Sequence, residues 1–298
     1  MYAGVVVAYN PDKEILDNIN SYIDDVDKLY IVDNSEYDNS SMFKDLAKVE
    51  YIANMQNLGI ATALNIAAKK AINEGFNWLL TMDQDSHFDD HAINDMKAYV
   101  EFSSKTKEKL GIVSPFHLTP RSEDIINFNI ISYPIVVMTS GNLVNLDAYQ
   151  DIGGFVDWYF IDCVDFDFCL SMKKNGYEIV QINSAILNHQ LGDTKKRKFL
   201  GKTLYEDNHN YIRRYYMIRN RYFFINKFKK FEPYYCKLEN KSTIKEILSV
   251  VLYEKDKKRK LAYMYKGYKD FKKGLGGKID NLYYINKEVN NEGTSNRC

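Results

Sequence analysis

The sequence predicts an α/β protein with a mostly parallel sheet flanked by helices, followed by a helical C-terminal region that is basic and rich in tyrosine. Short apolar runs alternate with segments of helical periodicity, polar clusters follow those runs, and the composition shifts to Lys, Tyr and Phe near residue 195. The 298 residues, 45% of them hydrophobic, can fill one large domain or a domain with a smaller lobe. We therefore assign residues 1–194 to an α/β domain and residues 195–298 to the helical region.

Four short apolar runs predict the first strands of the sheet, since each is bounded by turn residues. They are Gly4–Ala8, Leu29–Val32, Val49–Ile52 and Trp78–Met82. Helical spacing over residues 12–26 and again over Ile60–Glu74, which Gly75 ends, predicts helices between the strands. Ligands of such sheets bind at the carboxyl ends of the strands, so the polar residues that follow the strands should meet in one crevice.

The middle of the chain is less regular. Strands are expected at Gly111–Pro115, Ile135–Thr139 and Ile179–Ile182. An acidic stretch that begins at Tyr159 should form a helix running to Asn175-Gly176, a typical helix end.

Asp83, Gln84 and Asp85 follow the fourth predicted strand and are the sharpest chemical feature of the sequence. Two carboxylates one residue apart at a strand end can hold Mg²⁺ or Mn²⁺, with further ligands supplied by a diphosphate. The alternative is an ordinary strand-to-loop turn, which aspartate favours.

A second acidic cluster comprises Asp162, Asp165 and Asp167. If the segment is helical, Asp162 and Asp165 share a face, and paired carboxylates raise each other's pKa so that one of them can accept a proton. The alternative is that all three complement the dipole of the helix N-terminus. His189 follows an apolar strand and is either a ligand or a hydrogen-bonded structural residue.

Charge is divided unevenly, with 13 Lys+Arg against 29 Asp+Glu before residue 195 and 27 against 11 from there on. Basic residues interleaved with tyrosine, as around Lys255–Lys260, favour an anionic membrane surface over a solvated face, and both over nucleic acid, for which no motif is present. The four cysteines lack metal-ligand or secreted-disulfide spacing, which predicts reduced thiols. Since neither a leader nor a membrane-spanning run is evident, we expect a cytoplasmic protein at the inner face of the plasma membrane.

Nine segments, in order along the chain, together resemble the rhamnosyltransferase-like branch of glycosyltransferase family 2. They are Val7–Pro11, Ile31–Ser35, Asn57–Ala61, Met82–Ser86, Ser140-Gly141, Ile152–Phe155, Phe160–Asp165, His189 and Tyr216–Asn220. The resemblance implies a GT-A fold, a nucleoside diphosphate sugar donor, typically dTDP-L-rhamnose, and a saccharide or lipid-linked oligosaccharide acceptor in bacterial surface polysaccharide synthesis, as for O-antigen or capsule.

The resemblance also implies roles for individual residues. Asp165 corresponds to the catalytic base, Asp33 to the residue that reads the pyrimidine, Asp85 to the metal ligand, and Asp83 to a residue near ribose and metal. The remaining predicted site residues are Tyr9, Asn10, Asn57, Gly59, Gln84 and Arg219 for the donor, Asp162 and Gly141 for the acceptor, and His189 for the metal. Many relatives carry Arg where this chain has Ser171, and Arg219 is the candidate to replace it.

Rival functions predict different patterns. A nucleotidyltransferase normally has a glycine-rich basic loop after the first strand, whereas residues 8–13 contain no glycine. A non-catalytic sugar-nucleotide-binding protein should lack one of Asp83, Asp85 or Asp165, and all three are present. Transfer of galactofuranose or another hexose on the same fold remains open.

Overall fold

The computed structural model describes residues 1–106, 109–119, 130–189, 195–199 and 202–285. The chain divides into two units, the first made of Met1–Asp157 and Val164–Leu191 and the second of Trp158–Cys163 and Gly192–Cys298. The short segment Trp158–Cys163 therefore belongs with the C-terminal helices, although the first of these begins only at Tyr211.

A nine-stranded sheet forms the centre of the first unit. Its strands are β1 (Tyr2–Ala8), β2 (Lys28–Asp33), β3 (Val49–Ala53), β4 (Trp78–Asp83), β5 (Ser86–Phe88), β6 (Leu110–Leu118), β7 (Ile131–Ser132), β8 (Asn142–Asn145) and β9 (Glu178–His189). The strand order is β3-β2-β1-β4-β8-β6-β9-β5, and β7 pairs with β9. The strands β1 to β4 are mutually parallel, whereas β8 is antiparallel to both of its neighbours. The predicted mostly parallel sheet is confirmed.

The helices of the first unit are α1 (Glu14–Asn20), α2 (Ser40–Phe43), α3 (Ile60–Asn73), α4 (Ala92–Thr106), α5 (Leu146–Ile152) and α6 (Val164–Lys174). Helix α3 packs on β1, β2 and β4 through a face of small residues. Alanines at positions 61, 63, 67, 68 and 71 are fully buried there, which lets the helix lie close to the sheet. A separate cluster of buried residues packs the strands against α1 and α4 and includes Ile15, Ile19 and Met96.

The strand predicted over Ile135–Thr139 is wrong. The space between β4 and β6 is taken instead by β8, whose Leu143 pairs with Leu80 on one side and Val113 on the other. Thr139 lies before that strand, where its carbonyl accepts a hydrogen bond from the hydroxyl of Thr81. An apolar run alone could not show which of two adjacent segments pairs with the sheet.

The second unit is mainly helical, as predicted, with α7 (Tyr211–Phe228), α8 (Pro233–Leu252) and α9 (Lys257–Lys273). Helices α7 and α9 cross closely at Gly267, where a Cβ would lie 2.5 Å from the carbonyl oxygen of Tyr215. A hairpin of β10 (Lys195–Phe199) and β11 (Lys202–Glu206), which the sequence did not predict, precedes the helices, and a small pair of β12 (Leu275–Gly276) and β13 (Tyr283–Tyr284) follows them. Within the described residues, none of the helices is long and apolar enough to cross a bilayer.

Candidate active site

The carboxyl ends of β1, β2 and β4 lie side by side at one edge of the sheet. In the parallel register Ala8 pairs with Asp33, and Val7 pairs with Asp83. The residues that follow these strands are therefore neighbours, and the predicted convergence of the strand ends is confirmed. Open α/β sheets place their ligand crevice at this kind of edge.

Asp33 organises the loop after β2. Its side chain is 1% exposed. One carboxylate oxygen accepts from the backbone N–H and the hydroxyl of Ser35, and the other accepts from Asn39 and Tyr51, each at 2.8 Å. A carboxylate offers about four acceptor positions, so this set of donors fills them. Contact between Asp33 and a pyrimidine, the predicted role, would require one of these donors to move.

Gln84 ties the turn after β4 to the loop after β1. Its side-chain oxygen accepts from the N–H of Tyr9 at 2.8 Å, and its side-chain amide donates to the carbonyl of Tyr9 at 3.3 Å. The next N–H, of Asn10, donates to the hydroxyl of Ser35 at 2.7 Å. Tyr9 and Asn10 are exposed. Gln84 thus shapes the loop that carries two of the predicted donor contacts, a role that its position in the sequence did not reveal.

Asn57 and Gly59 build the turn into α3. The side-chain oxygen of Asn57 accepts from the N–H of Gly59 at 3.0 Å, and the carbonyl of Gly59 accepts from Asn34 at 3.2 Å. Gly59 has φ = +86°, a conformation that strongly favours glycine. Both residues thereby link the start of α3 to the end of β2.

Asp83 and Asp85 offer oxygen ligands at the same edge. Asp83 ends β4 half-buried, and Asp85 lies exposed in the turn before β5. Ser86, the first residue of β5, pairs with His189 of β9, but the side chain of His189 lies outside the part of the chain that the structure describes. Carboxylate oxygens suit Mg²⁺ or Mn²⁺ in a site that substrate completes, so the donor set fits such an ion. Among the described residues, no three His, Cys, Asp or Glu side chains gather as a protein-only metal site would need.

Asp165 lies in the first turn of α6 and half-buried. One of its carboxylate oxygens accepts from the N–H of Phe166 at 2.9 Å. It lines a small cavity together with Thr81, Thr139 and Asn142 of the first unit. A carboxylate at a helix N-terminus is stabilised by the helix dipole.

Asp167 and Ser171 lie one turn apart on α6. Asp167 is buried and accepts a hydrogen bond from the hydroxyl of Ser171 at 3.2 Å. Ser171, the position at which the resemblance implies Arg, therefore contacts a carboxylate of its own helix.

The prediction that Asp162 and Asp165 share a helix face is wrong. Helix α6 begins at Val164, and Asp162 precedes it with φ = +62° in a loop of the second unit. Arg213 lies 3.4 Å from one carboxylate oxygen, while the other oxygen is buried and has no hydrogen-bond partner among the described residues. Burial raises the pKa of Asp162 above its ordinary value, and Arg213 offsets only part of that effect. The environment of Asp162 therefore differs from that of a helix-terminal carboxylate.

Arg219 is a structural residue of the second unit. It is buried, and its five N–H groups donate to five acceptors: the carbonyls of Trp158, Tyr159 and Gly277, the hydroxyl of Tyr215, and the side-chain oxygen of Asn220. A guanidinium has five N–H donors, so none remains for a ligand. The structure therefore argues against the predicted contact between Arg219 and the donor, and against its replacing the Arg of relatives.

Asn220 holds the segment that carries Asp162. Its side-chain amide donates to the carbonyls of Tyr159, Ile161 and Asp162. Within that segment Phe160, Asp162 and Cys163 all have positive φ, near +60° to +70°. Arg219 and Asn220 together fix this unusual loop from helix α7.

Gly141 is needed for packing. It is buried with φ = +83°, and a Cβ there would lie 2.7 Å from the ring of Pro115 and 2.8 Å from Leu187. Its N–H donates to the carbonyl of Thr81. These contacts explain why a glycine is required at this position, and its assignment to the acceptor side stays a prediction.

Asn65 was missed by the sequence reasoning. It is buried among the alanines of α3, where it bonds to the backbone of Phe155, to Tyr149 and to Asp157. It thereby fixes the turn at Gly153-Gly154, where a Cβ on Gly154 would strike the ring of Tyr149. An asparagine on an otherwise apolar, alanine-rich helix face was the available signal.

Comparison with known sequences shows which proteins this chain resembles. Residues 5–109 match the model described as Glycosyl transferase family 2. The dTDP-rhamnosyl transferase RfbF of Shigella flexneri is 26% identical over 247 residues, which cover 75% of this chain and 79% of that protein. The chain is a glycosyltransferase, similar to family 2 over residues 5–109 and to a rhamnosyltransferase over most of its length. The predicted resemblance and the predicted enzyme class are both confirmed.

Solved structures place this glycosyltransferase in the GT-A fold, as predicted. A Staphylococcus aureus TarS fragment in complex with UDP-GlcNAc has a TM-score of 0.53 and 11% identity, covering 95% of this chain and 96% of that one. GalNAc-T7 with UDP, GalNAc and Mn²⁺ has a TM-score of 0.52 and 12% identity, covering 67% of this chain and 44% of that one. At these identities the similarity concerns the fold alone.

Proposed function

We propose that this glycosyltransferase transfers L-rhamnose from dTDP-L-rhamnose, with inversion, onto a saccharide or lipid-linked saccharide acceptor of a bacterial surface polysaccharide. The observation that carries the proposal is the edge of the sheet, where Asp33 ends β2 and Asp83 ends β4 on either side of the parallel strand β1, and Asp85 follows in the next turn. The similarity to RfbF, whose name gives dTDP-rhamnose as its donor, supports the choice of sugar and base.

Asp165 is proposed as the general base. Its carboxylate accepts the proton of an acceptor hydroxyl while that oxygen attacks the anomeric carbon, and the bond from this carbon to the diphosphate oxygen breaks with its electron pair leaving on the diphosphate. A single displacement of this kind inverts the configuration at the anomeric carbon. The other strand-end residues would bind and orient the donor so that the anomeric carbon faces the attacking oxygen.

Asp85 and Asp83 are the residues that would hold Mg²⁺ or Mn²⁺, together with His189 if its ring reaches the site. The ion would neutralise charge that develops on the departing diphosphate. The Mn²⁺ and UDP in the GalNAc-T7 structure support a metal-assisted site on this fold.

The test is turnover of a panel of nucleotide sugars by the purified protein, with dTDP-L-rhamnose, UDP-GlcNAc, UDP-galactofuranose and a nucleoside triphosphate in parallel. We expect slow donor hydrolysis and saturable binding with dTDP-L-rhamnose above the others. Asp165→Asn should abolish turnover while retaining binding, and Asp90→Asn, which alters an exposed carboxylate of the same unit, should change neither. A preference for a uridine sugar would refute the proposed donor, and turnover of the triphosphate alone would refute glycosyl transfer.

The basic, tyrosine-rich second unit supports a location at the anionic inner face of the plasma membrane, where a lipid-linked acceptor would be presented. Each Lys or Arg near such a surface contributes ~1 kcal/mol of attraction. This part of the proposal is independent of the donor.

A further inference from the structure

Helix α8 exposes a continuous apolar stripe. Ile244, Ile247, Leu248 and Val251 follow the spacing of one helix face and are 60%, 38%, 41% and 44% exposed. Isolated exposed apolar residues are ordinary on protein surfaces, but a row of four aliphatic side chains along two helical turns marks a contact surface.

The stripe borders a groove between α7, α8 and α9. The groove has a volume of about 360 Å³ and is lined by apolar and aromatic residues, among them Ile218, Tyr222, Ile247, Leu261, Tyr265 and Tyr268. Ile247 belongs to both the stripe and the groove, so the two form one surface. Tyr265 and Tyr268 are themselves exposed at its rim. A volume of this size between helices is that of a ligand site for an apolar chain.

Exposed cations lie along α9. Lys257, Lys258 and Arg259 lie in its first turn, where the ammonium of Lys257 donates to the carbonyls of Val251 and Leu252 at the end of α8, and further exposed cations follow at Lys266, Lys269, Lys272 and Lys273. The ammonium of Lys269 is 5.0 Å from the centre of the Tyr265 ring, which places a charge beside the groove. Lys260 is the exception, because it is buried and bonded to Asn208 and Glu254. It belongs to the interior of the unit and not to the basic surface that the sequence suggested.

Charge and composition decide among the possible occupants. A second copy of the chain would meet this surface with the same patch under two-fold symmetry, so the cations of one α9 would face those of the other. Residues 286–298 are nearly all polar and supply no apolar segment to cover the stripe. An anionic lipid surface satisfies both features, since tyrosine and lysine suit the headgroup level while aliphatic side chains enter the acyl region.

We propose that the α8 stripe and the groove form an insertion face for an anionic membrane, with the groove receiving a lipid chain and the lysines of α9 contacting lipid phosphates. This deepens the membrane location in the proposed function by assigning it to an apolar contact in addition to charge. Vesicle binding should therefore require anionic lipid, but part of the binding should persist at high salt. A purely electrostatic contact would instead be lost at high salt.

The test is co-flotation of the full chain with phosphatidylglycerol-containing and phosphatidylcholine-only vesicles at low and high salt. We expect binding to the anionic vesicles that persists in part at high salt. The double variant Ile244→Ser/Leu248→Ser should weaken it by about tenfold or more, since every buried methylene contributes. Phe102→Ser, which removes an equally exposed apolar side chain from α4, should leave it unchanged.

A second readout locates the insertion. Leu248→Trp should be quenched by lipids brominated in the acyl chain, well beyond the quenching of the native Trp78 and Trp158. The proposal is overturned if α8 variants bind vesicles like the native chain, or if sedimentation shows that they convert a dimer into a monomer. Vesicle binding without nucleotide-sugar turnover would refute the proposed function but not the insertion face. Turnover without vesicle binding would refute the insertion face but not the proposed transfer.

Discussion

Replacing Asn220 with alanine removes the side chain that fixes the loop before α6. Its amide donates to the carbonyls of Tyr159, Ile161 and Asp162, and its oxygen accepts from Arg219 at 2.9 Å. Because this loop contains several residues of positive φ, its shape depends on such tertiary contacts. The substitution is small and lies within the second unit, so it tests the contacts without adding bulk.

The magnitude follows from the groups left without a partner. In the variant, the carbonyl of Tyr159 still accepts a hydrogen bond from Arg219 at 3.2 Å. Three groups lose their partner: the carbonyls of Ile161 and Asp162, and the Nε–H of Arg219. A buried polar group left unsatisfied costs about 1–3 kcal/mol, and water can reach part of this loop, so we expect about 2–4 kcal/mol of lost stability. Distortion of the loop should also lower kcat, because the loop leads directly into the helix that carries Asp165.

Urea denaturation measures the first effect, and steady-state kinetics measure the second. We expect a lower denaturation midpoint, a reduced kcat and a nearly unchanged KM for the nucleotide sugar. Asn226→Ala is the matched control, since Asn226 lies on the same helix and its side chain accepts from the exposed Lys229. Loss of stability below about 0.5 kcal/mol, together with an unchanged kcat, would show that the loop does not depend on Asn220.

Three further predictions concern the carboxylates. Rigorous chelation should abolish transfer, and added Mg²⁺ or Mn²⁺ should restore it. Asp85→Ala should lose most of the activity. Full activity of the chelated enzyme or of the variant would refute a role for the metal in transfer. Asp165→Asn should cut turnover by at least ~10²-fold with donor binding kept, as expected for loss of a general base, whereas an active Asp165→Asn beside an inactive Asp162→Asn would reverse the assignment. Since the folded state raises the pKa of Asp162 above its ordinary 3.8, ionising it costs stability, and the cost grows as the pH rises from that value through the raised pKa. Asp162→Asn should therefore be more stable than the native chain at neutral pH, with the gain shrinking as the pH falls toward 3.8 in urea titrations; a gain that is constant with pH would contradict the shift.

The strand ends could be predicted because local pattern determines them. An unbroken β-branched run such as Gly4–Ala8, closed by turn residues, has few structures other than a buried strand. Parallel strands joined by helices then bring their carboxyl ends to one edge, so the neighbourhood of Asp33 and Asp83 followed from sequence. The antiparallel β8 did not follow, since the preceding apolar run at Ile135–Thr139 was an equally good strand on local grounds.

The pairing of Asp162 with Asp165 failed for a different reason. The residues from Tyr159 to Leu170 have a helical pattern throughout, but helix α6 begins only at Val164 because the chain before it is held by another element. The restraint comes from Arg219 and Asn220, which lie more than fifty residues further along the chain. Local sequence patterns cannot predict a contact between residues that lie so far apart in the chain.

The same contacts explain what the Arg219-Asn220 pair does in this chain. From the sequence, Arg219 was predicted to contact the donor, and Asn220 had no predicted role. In the structure the five N–H groups of Arg219 and the side-chain amide of Asn220 donate hydrogen bonds to protein acceptors. Most of these acceptors are backbone carbonyls of residues 158–162. Carbonyls in a loop of positive φ lack the partners that a helix or strand would provide, and buried ones must be paired. The loop that precedes helix α6 in the sequence therefore needs dedicated donors within the second unit, and these two side chains supply them.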